Sequence, residues 1–152
     1  MANRIYRGPA DRQPKTVSDK TVAGAYLPGT FVTESATALT QATAFGANLR
    51  LLGSRDFYDV TGAAFTSTDP LLTAYASGDT GIGYVMEPGQ QYQAAVAAAT
   101  YTWGQELTIG AAGRLVAAAS TNTVVAYSRT ATGAKSAGDL IDIEIANHYT
   151  KA

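Results

Sequence analysis

The only imidazole in the chain is His148, in Asn147-His148-Tyr149 near the C-terminus. A histidine general base needs a partner that orients its ring and a nucleophile or bound water within reach. No Gly-x-Ser-x-Gly elbow supplies a nucleophile, so no catalytic role is expected for His148. The closest pair of carboxylates with a shared direction is Asp142 and Glu144, two residues apart. That spacing is what any strand with an acidic outer face shows, and it does not form a ligand cluster. Two glycine-containing runs imitate nucleotide motifs. In Gly133-Ala134-Lys135-Ser136 the glycine required before the lysine is Ala134, and position 129 is an arginine. Gly81-Ile82-Gly83 lacks the third glycine of a dinucleotide fingerprint, because position 86 is a methionine. With no cysteine in the chain, thiol nucleophiles, disulfides and cysteine-containing zinc sites are excluded. The chain is therefore read as a non-enzyme, with no catalytic, cofactor-binding or metal site and no cofactor.

The elements that carry these residues read as strands and turns. Leu27-Pro28-Gly29 is a turn, followed by a β-prone run from Thr30 to Glu34. Asn48 to Leu52 reads as another strand. Asp69-Pro70, followed by Leu71, Leu72 and Tyr75, reads as a short helix with proline in its first turn, ending at Gly78. Gly81 to Met86 reads as a strand with Ile82, Tyr84 and Met86 on one face. From Gln90 to Ala99 the alanines favour helix, but the alternation of Tyr92, Ala94, Val96 and Ala98 with glutamines favours a strand, which is the reading taken. Glu106–Ile109, Arg114–Ala118 and Thr123–Tyr127 follow as strands, with a turn from Gly110 to Gly113. Leu140 to Ile145 is the clearest element. It puts three isoleucines on one face and Asp142 and Glu144 on the other, as a half-buried strand does. Ala76-Ser77-Gly78-Asp79 and Ser136-Ala137-Gly138-Asp139 are alike, and each launches a strand. An internal repeat and a chance recurrence of Gly-Asp turns both account for them.

Composition narrows the function classes. The length suits one domain with an arm. Alanine and threonine make up about a third of the chain, and 15% of residues are charged, against about 25% in ordinary soluble domains. Small side chains bury little apolar area per position, and a weakly charged surface invites protein contact. Residues 1–20 carry five basic and two acidic groups, a net +3, so the remaining 132 residues carry −4. With Gly8, Pro9 and Pro14 and no apolar period, residues 1–21 read as an extended basic arm ahead of a single β-rich domain at 22–152. Two readings stay open for the arm. It is a disordered tail, or it orders on a partner through Arg4, Tyr6, Arg7, Arg12 and Lys15. The overall charge of −1 argues against a nucleic-acid-binding surface. No apolar run reaches membrane-spanning length, and no secretory h-region follows the early arginines. The aromatics Tyr58, Tyr75, Tyr84, Tyr92, Tyr101, Trp103, Tyr127 and Tyr149 are not interleaved with basic residues. They are expected to fill a core or an interface.

From Tyr75-Ala76-Ser77-Gly78-Asp79 onward, a series of motifs follows in a distinctive order. Strand 82–86, Pro88-Gly89 and the run to Ala99 lead to Trp103-Gly104-Gln105-Glu106-Leu107. Gly113-Arg114-Leu115, Val124-Val125-Ala126-Tyr127 and Ala137-Gly138-Asp139 come after. Over roughly residues 24–146 this resembles the capsid decoration, or cement, proteins of tailed bacteriophages. The resemblance implies a mainly β fold, a small β-barrel or β-sandwich of β-tulip or jelly-roll-like type with an extended N-terminal arm. It also implies a homotrimer on the outer capsid surface of the virion, made in the bacterial host cytoplasm. There it would clamp neighbouring copies of the major capsid protein, with neither nucleic acid nor membrane as partner. The alternatives are a tail or baseplate structural protein, and a virion-surface carbohydrate-binding module that uses tyrosines and Trp103 to stack on sugars.

Overall fold

A computed structural model describes residues 4–55 and 70–152. The expectations placed on Tyr58 and Asp69 lie outside the described residues. All regular structure among the described residues is β, apart from two short 3-10 turns at Pro70–Leu72 and Ala111–Gly113. Six strands form one sheet: β1 (Thr16–Val17), β2 (Thr21–Val22), β3 (Phe31–Glu34), β4 (Ala38–Gln41), β5 (Leu49–Leu52) and β6 (Gly83–Tyr84). Their spatial order is β1-β6-β5-β3-β4-β2. A second, five-stranded sheet contains β7 (Gln91–Ala95), β9 (Glu106–Ile109), β10 (Leu115–Ala117), β11 (Thr123–Ser128) and β13 (Leu140–Thr150), in the order β10-β9-β11-β13-β7. The short strands β8 (Ala99–Tyr101) and β12 (Gly133–Lys135) pair with each other. Every ladder is antiparallel except β2–β4. The mainly β fold expected from the strand and turn pattern, and the barrel or sandwich that the resemblance implies, are what is observed.

The main core lies between the two sheets. Phe31, Leu49 and Leu51 from the six-stranded sheet meet Tyr92, Leu107, Ile109, Val125, Ile141, Ile143 and Ile145 from the other. Alternation decides this. Leu49 and Leu51 point one way, while Leu52, with Val32 and Leu39, joins a second buried cluster around Val22 and Tyr75. The six-stranded sheet is thus apolar on both faces. The five-stranded sheet buries its three β13 isoleucines on the core side, each contributing about 2 kcal/mol of transfer free energy. Asp142 and Glu144 alternate with them on the outer face.

Several elements differ in extent from the sequence reading. The 81–86 strand pairs only over Gly83–Tyr84, although Tyr84 and Met86 do pack on the main core. The expected helix after Asp69 is a single 3-10 turn, and Tyr75 enters the second core instead of lying on a helix. The ambiguous 90–99 run is strand, but it leaves the sheet after Ala95. Val96 then bridges Leu115, and the Ala97 N–H donates to the Leu115 carbonyl at 2.9 Å. The isoleucine strand runs on to Thr150. Between the pairs Val124–Tyr149 and Ala126–Ile145, three β13 residues face one on β11, so Ala146 to His148 form a bulge that lets the strand continue.

The similarity of 76–79 and 136–139 is a shared turn mechanism. In both, the aspartate side chain accepts from the N–H three residues earlier at 2.8 Å, and the third residue is glycine at φ +93°. Three further turns use the same arrangement with a different acceptor. They are Glu87–Gln90, Thr102–Gln105 and Ala119–Asn122, the last with Thr121 in the left-handed position. A left-handed third residue is what a type II turn requires, and the fourth-position side chain satisfies a donor that the turn leaves open.

The N-terminal segment is extended and lies along the edges of both sheets. Gln93 N–H donates to the Ile5 carbonyl at 2.7 Å and Arg7 N–H to the Gln91 carbonyl at 2.9 Å, so residues 5–7 add a strand to β7. Ten residues later, β1 pairs with β6. Ile5 and Tyr6 are 3% and 7% exposed and belong to the main core. This placement predicts that Tyr6→Ala lowers unfolding free energy by about 3 kcal/mol in denaturant titrations. Tyr6→Phe, which loses only the hydroxyl bond to the Arg12 carbonyl, should cost about 1 kcal/mol. Equal, negligible costs for both would show that the segment is not part of the core.

Candidate functional site

Proline and glycine at positions 8, 9 and 14 turn the segment after Tyr6 back on itself, and Arg12 N–H donates to the Pro9 carbonyl at 3.2 Å. The Tyr6 hydroxyl donates to the Arg12 carbonyl at 2.7 Å and fastens this loop. The Tyr6 ring packs 5.4 Å from that of Tyr92, which lies 5.7 Å from Tyr84. Three tyrosines, from the N-terminal segment (the strap, residues 5–17), β7 and β6, therefore join both sheets at one edge. Burial pushes the Tyr92 phenol pKa up, and its hydroxyl donates to Gln90 Oε1 at 2.6 Å.

The five residues expected to contact a partner are thus sorted by the fold. Tyr6 is buried in the chain's own core. Arg7 is half-buried and bonds Asp142 Oδ1 through Nε at 2.9 Å. Arg4, Arg12 and Lys15 are exposed, and among the described residues none of the three has an ion-pair partner. Tyr6, Arg7 and Arg12 line one open groove with Gln13, Glu87 and Gln90. Arg4 lies at a smaller recess beside Tyr84, and Lys15 lines neither.

The outer face of the five-stranded sheet adjoins this edge. The strand register sets Glu106, Tyr127, Glu144 and Gln91 in one row across β9, β11, β13 and β7. Each carboxylate has a cation. Lys151 Nζ lies 2.7 Å from Glu106 Oε2, Arg129 binds Glu144 through Nε and Nη2, and Arg7 binds Asp142. The hydrogen bond from Lys151, and then that from Tyr149, hold the Glu106 carboxyl below its ordinary pKa. The same Glu106 bond, with Tyr127 beside it, pushes the Tyr149 phenol up. Solvent screens such exposed pairs, and their larger effect is to leave the face with little net charge. Trp103 stands at the tip of the Thr102–Gln105 turn, 62% exposed, with the Arg129 guanidinium 5.1 Å from its ring centre. By its residue type alone Trp103 is expected in a core or an interface, or, in the carbohydrate-binding alternative, exposed to stack on sugars. Its position between a threonine and a Gly-Gln pair in a turn was the signal that it would stand outside a strand.

His148 projects from the β13 bulge against Phe45, with ring centres 4.8 Å apart and edge to face. Among the described residues no group of three potential ligands gathers for a metal ion, and no helix is long and apolar enough to cross a membrane. Burial lowers the His148 pKa below its ordinary value of 6.5. Below that pH the unfolded chain binds a proton that the folded chain resists, so stability falls as pH drops through this region. The Glu106 contribution is lost only below its ordinary 4.5, in a separate window. Melting temperature should therefore fall as pH drops through and below 6.5, and His148→Gln should flatten that decline. An unchanged slope in the variant would assign it to other groups.

No family model and no curated protein matches the chain. Among solved structures the chain is similar to the head fiber gp8.5 N base of bacteriophage phi29, with a TM-score of 0.53 and 15% sequence identity. The match covers 92% of this chain and 98% of that one, so the likeness extends over the whole β module. At this identity what the two share is the fold.

Proposed function

We propose that the chain is a non-enzymatic structural protein of a phage virion. It binds the outer capsid surface as a homotrimer and stabilises contacts between major capsid subunits, after synthesis in the host cytoplasm. The observation that carries this reading is the end-to-end similarity of fold to the base of a phage head fiber. The ordered motifs that resemble capsid decoration proteins point the same way. So does a body rich in small residues and low in charge, which favours stability gained by assembly.

The structure alters how attachment would work. Tyr6 is committed to the core and Arg7 to Asp142, which leaves Arg4, Arg12 and Lys15 to meet an acidic surface. They project from a strap fixed to the body and do not swing on a free tail, so less chain entropy is lost on binding. Three copies on a trimer would combine weak contacts through effective concentration. Neither nucleic acid nor membrane is a partner in this reading.

The protein as a whole should have a solution mass of three times 15.8 kDa and should sediment with expanded capsids that lack it. Replacing Arg4, Arg12 and Lys15 together with glutamate should weaken binding by about tenfold or more without lowering the melting temperature. A monomer would refute the trimer, and absence of capsid binding by the wild-type chain would refute the capsid reading. Undiminished binding by the triple variant would move the contact elsewhere. A second reading, the base of a head appendage, is favoured by the description of the structural neighbour. Particles assembled without the protein separate the two: a cement loss weakens heads, whereas a base loss removes projections from heads of normal strength.

A further inference from the structure

The outer face of the five-stranded sheet carries a feature that capsid attachment through the strap does not use. Beside Trp103 lies an open groove of about 410 Å³, lined by Arg7, Gln91, Trp103, Arg129, Asp142 and Ile143. The geometry points to a carbohydrate-binding groove here, with neutral sugar rings stacking on Trp103 and their hydroxyls meeting the planar polar side chains around it.

Four observations support this occupant over others. The first is the presentation of the indole. Trp103 is 62% exposed although it is the largest apolar side chain available, and its turn is held at three points. Thr102 N–H donates to Gln105 Oε1 at 3.0 Å, Gln105 N–H to the Thr102 carbonyl at 3.2 Å, and Gly104 N–H to the Ser128 carbonyl at 2.8 Å. The Arg129 guanidinium lies over one face of the ring, 5.1 Å from its centre, so a sugar would stack on the other, and a ring mounted on a braced turn loses little entropy on binding. The second is the chemistry around it. Arg7 engages one oxygen of Asp142, and Arg129 engages one oxygen of Glu144. Guanidinium and carboxylate groups therefore stand fixed in place beside the exposed Gln91 amide, and their forked donors and acceptors suit adjacent hydroxyls.

The third is charge. Each arginine in the groove is already matched by a carboxylate, so the groove has no surplus positive charge with which to favour phosphate or sulfate. A nucleic acid or a sulfated polymer is disfavoured for that reason, and an uncharged polyol is not. The fourth is shape. The groove is concave and falls within the roughly 300–1,000 Å³ range of small-ligand sites, whereas a flat protein interface needs no such depression. This inference is independent of the capsid reading. A protein fixed to a virion by its strap edge could present this face outward.

The single tryptophan of the chain makes the test direct, because all indole emission comes from the groove. Chitohexaose, maltohexaose and cellohexaose are titrated into the full chain, and retention in gels containing the matching polysaccharides is measured in parallel. The expected result is a saturable change in tryptophan emission with at least one of the three, and retarded migration in its gel. Trp103→Ala and, separately, Gln91→Ala should each weaken retention, the former by about tenfold or more, with unchanged melting temperature. No emission change and no retention with any of the three would overturn the proposal. So would retention that survives Trp103→Ala. If Trp103→Ala abolishes capsid binding while no sugar responds, the groove is a protein contact; the carbohydrate proposal then fails and the capsid reading stands.

Discussion

A two-sheet sandwich that does not close leaves edges, and the constraint on which this structure rests is the edge formed by β6 and β7. Unpaired strand edges expose a row of backbone donors and acceptors that template aggregation. Here the chain covers its own edge. Residues 5–7 pair with β7 and β1 pairs with β6, so one N-terminal strap runs along both sheets. The Tyr6–Tyr92–Tyr84 contact beneath it turns this pairing into burial. Without the strap, Tyr92 would lose its cover and the isoleucine core one of its walls. The same segment that looks like an appendage is therefore a structural closure.

That closure shapes what the surface can do. Fixing Arg7 on Asp142 neutralises one end of the outer sheet face, and Arg129 and Lys151 neutralise the rest. The cations left exposed on the strap are then the distinct positive feature of this edge, while the adjoining face carries paired charges and an exposed indole. The two surfaces differ electrostatically. One has surplus charge and would attract an acidic surface over a Debye length of about 10 Å. The other has almost none and can act only at contact. Alanine and threonine supply shape but little buried area per residue.

Much of the fold was legible residue by residue. The alternation of Ile141, Ile143 and Ile145 with Asp142 and Glu144 specified a one-sided strand and its buried face, because side-chain direction in a strand has period two. The strand at 91–95 could be separated from a helix by the same alternation. The Gly-Asp similarity marked a turn whose chemistry recurs with glutamine and asparagine in three other places. The two aspartate copies share Gly-Asp and two others share Gly-Gln, but the common feature of all five is the acceptor and not the residue type. The extent of the elements was less legible. Where a strand stops depends on what pairs beside it, as with β6, whose flanking residues are claimed by Lys15 and Gly53.

The residue types and their short-range pattern were enough to establish a β protein of small residues with a basic N-terminus. Composition and short-range periodicity are local properties, and they need no knowledge of what lies across the fold. The folded arrangement was needed to make Tyr6 a core residue and Arg12 a surface one, although both belong to the same proline- and glycine-punctuated segment. It alone brought Arg7 to Asp142 and Arg129 to Trp103. The physical reason is that each of these outcomes depends on pairing between segments distant along the chain. Edge closure, charge neutralisation and groove formation depend on which strands become neighbours, and a pattern of residue types cannot state that register.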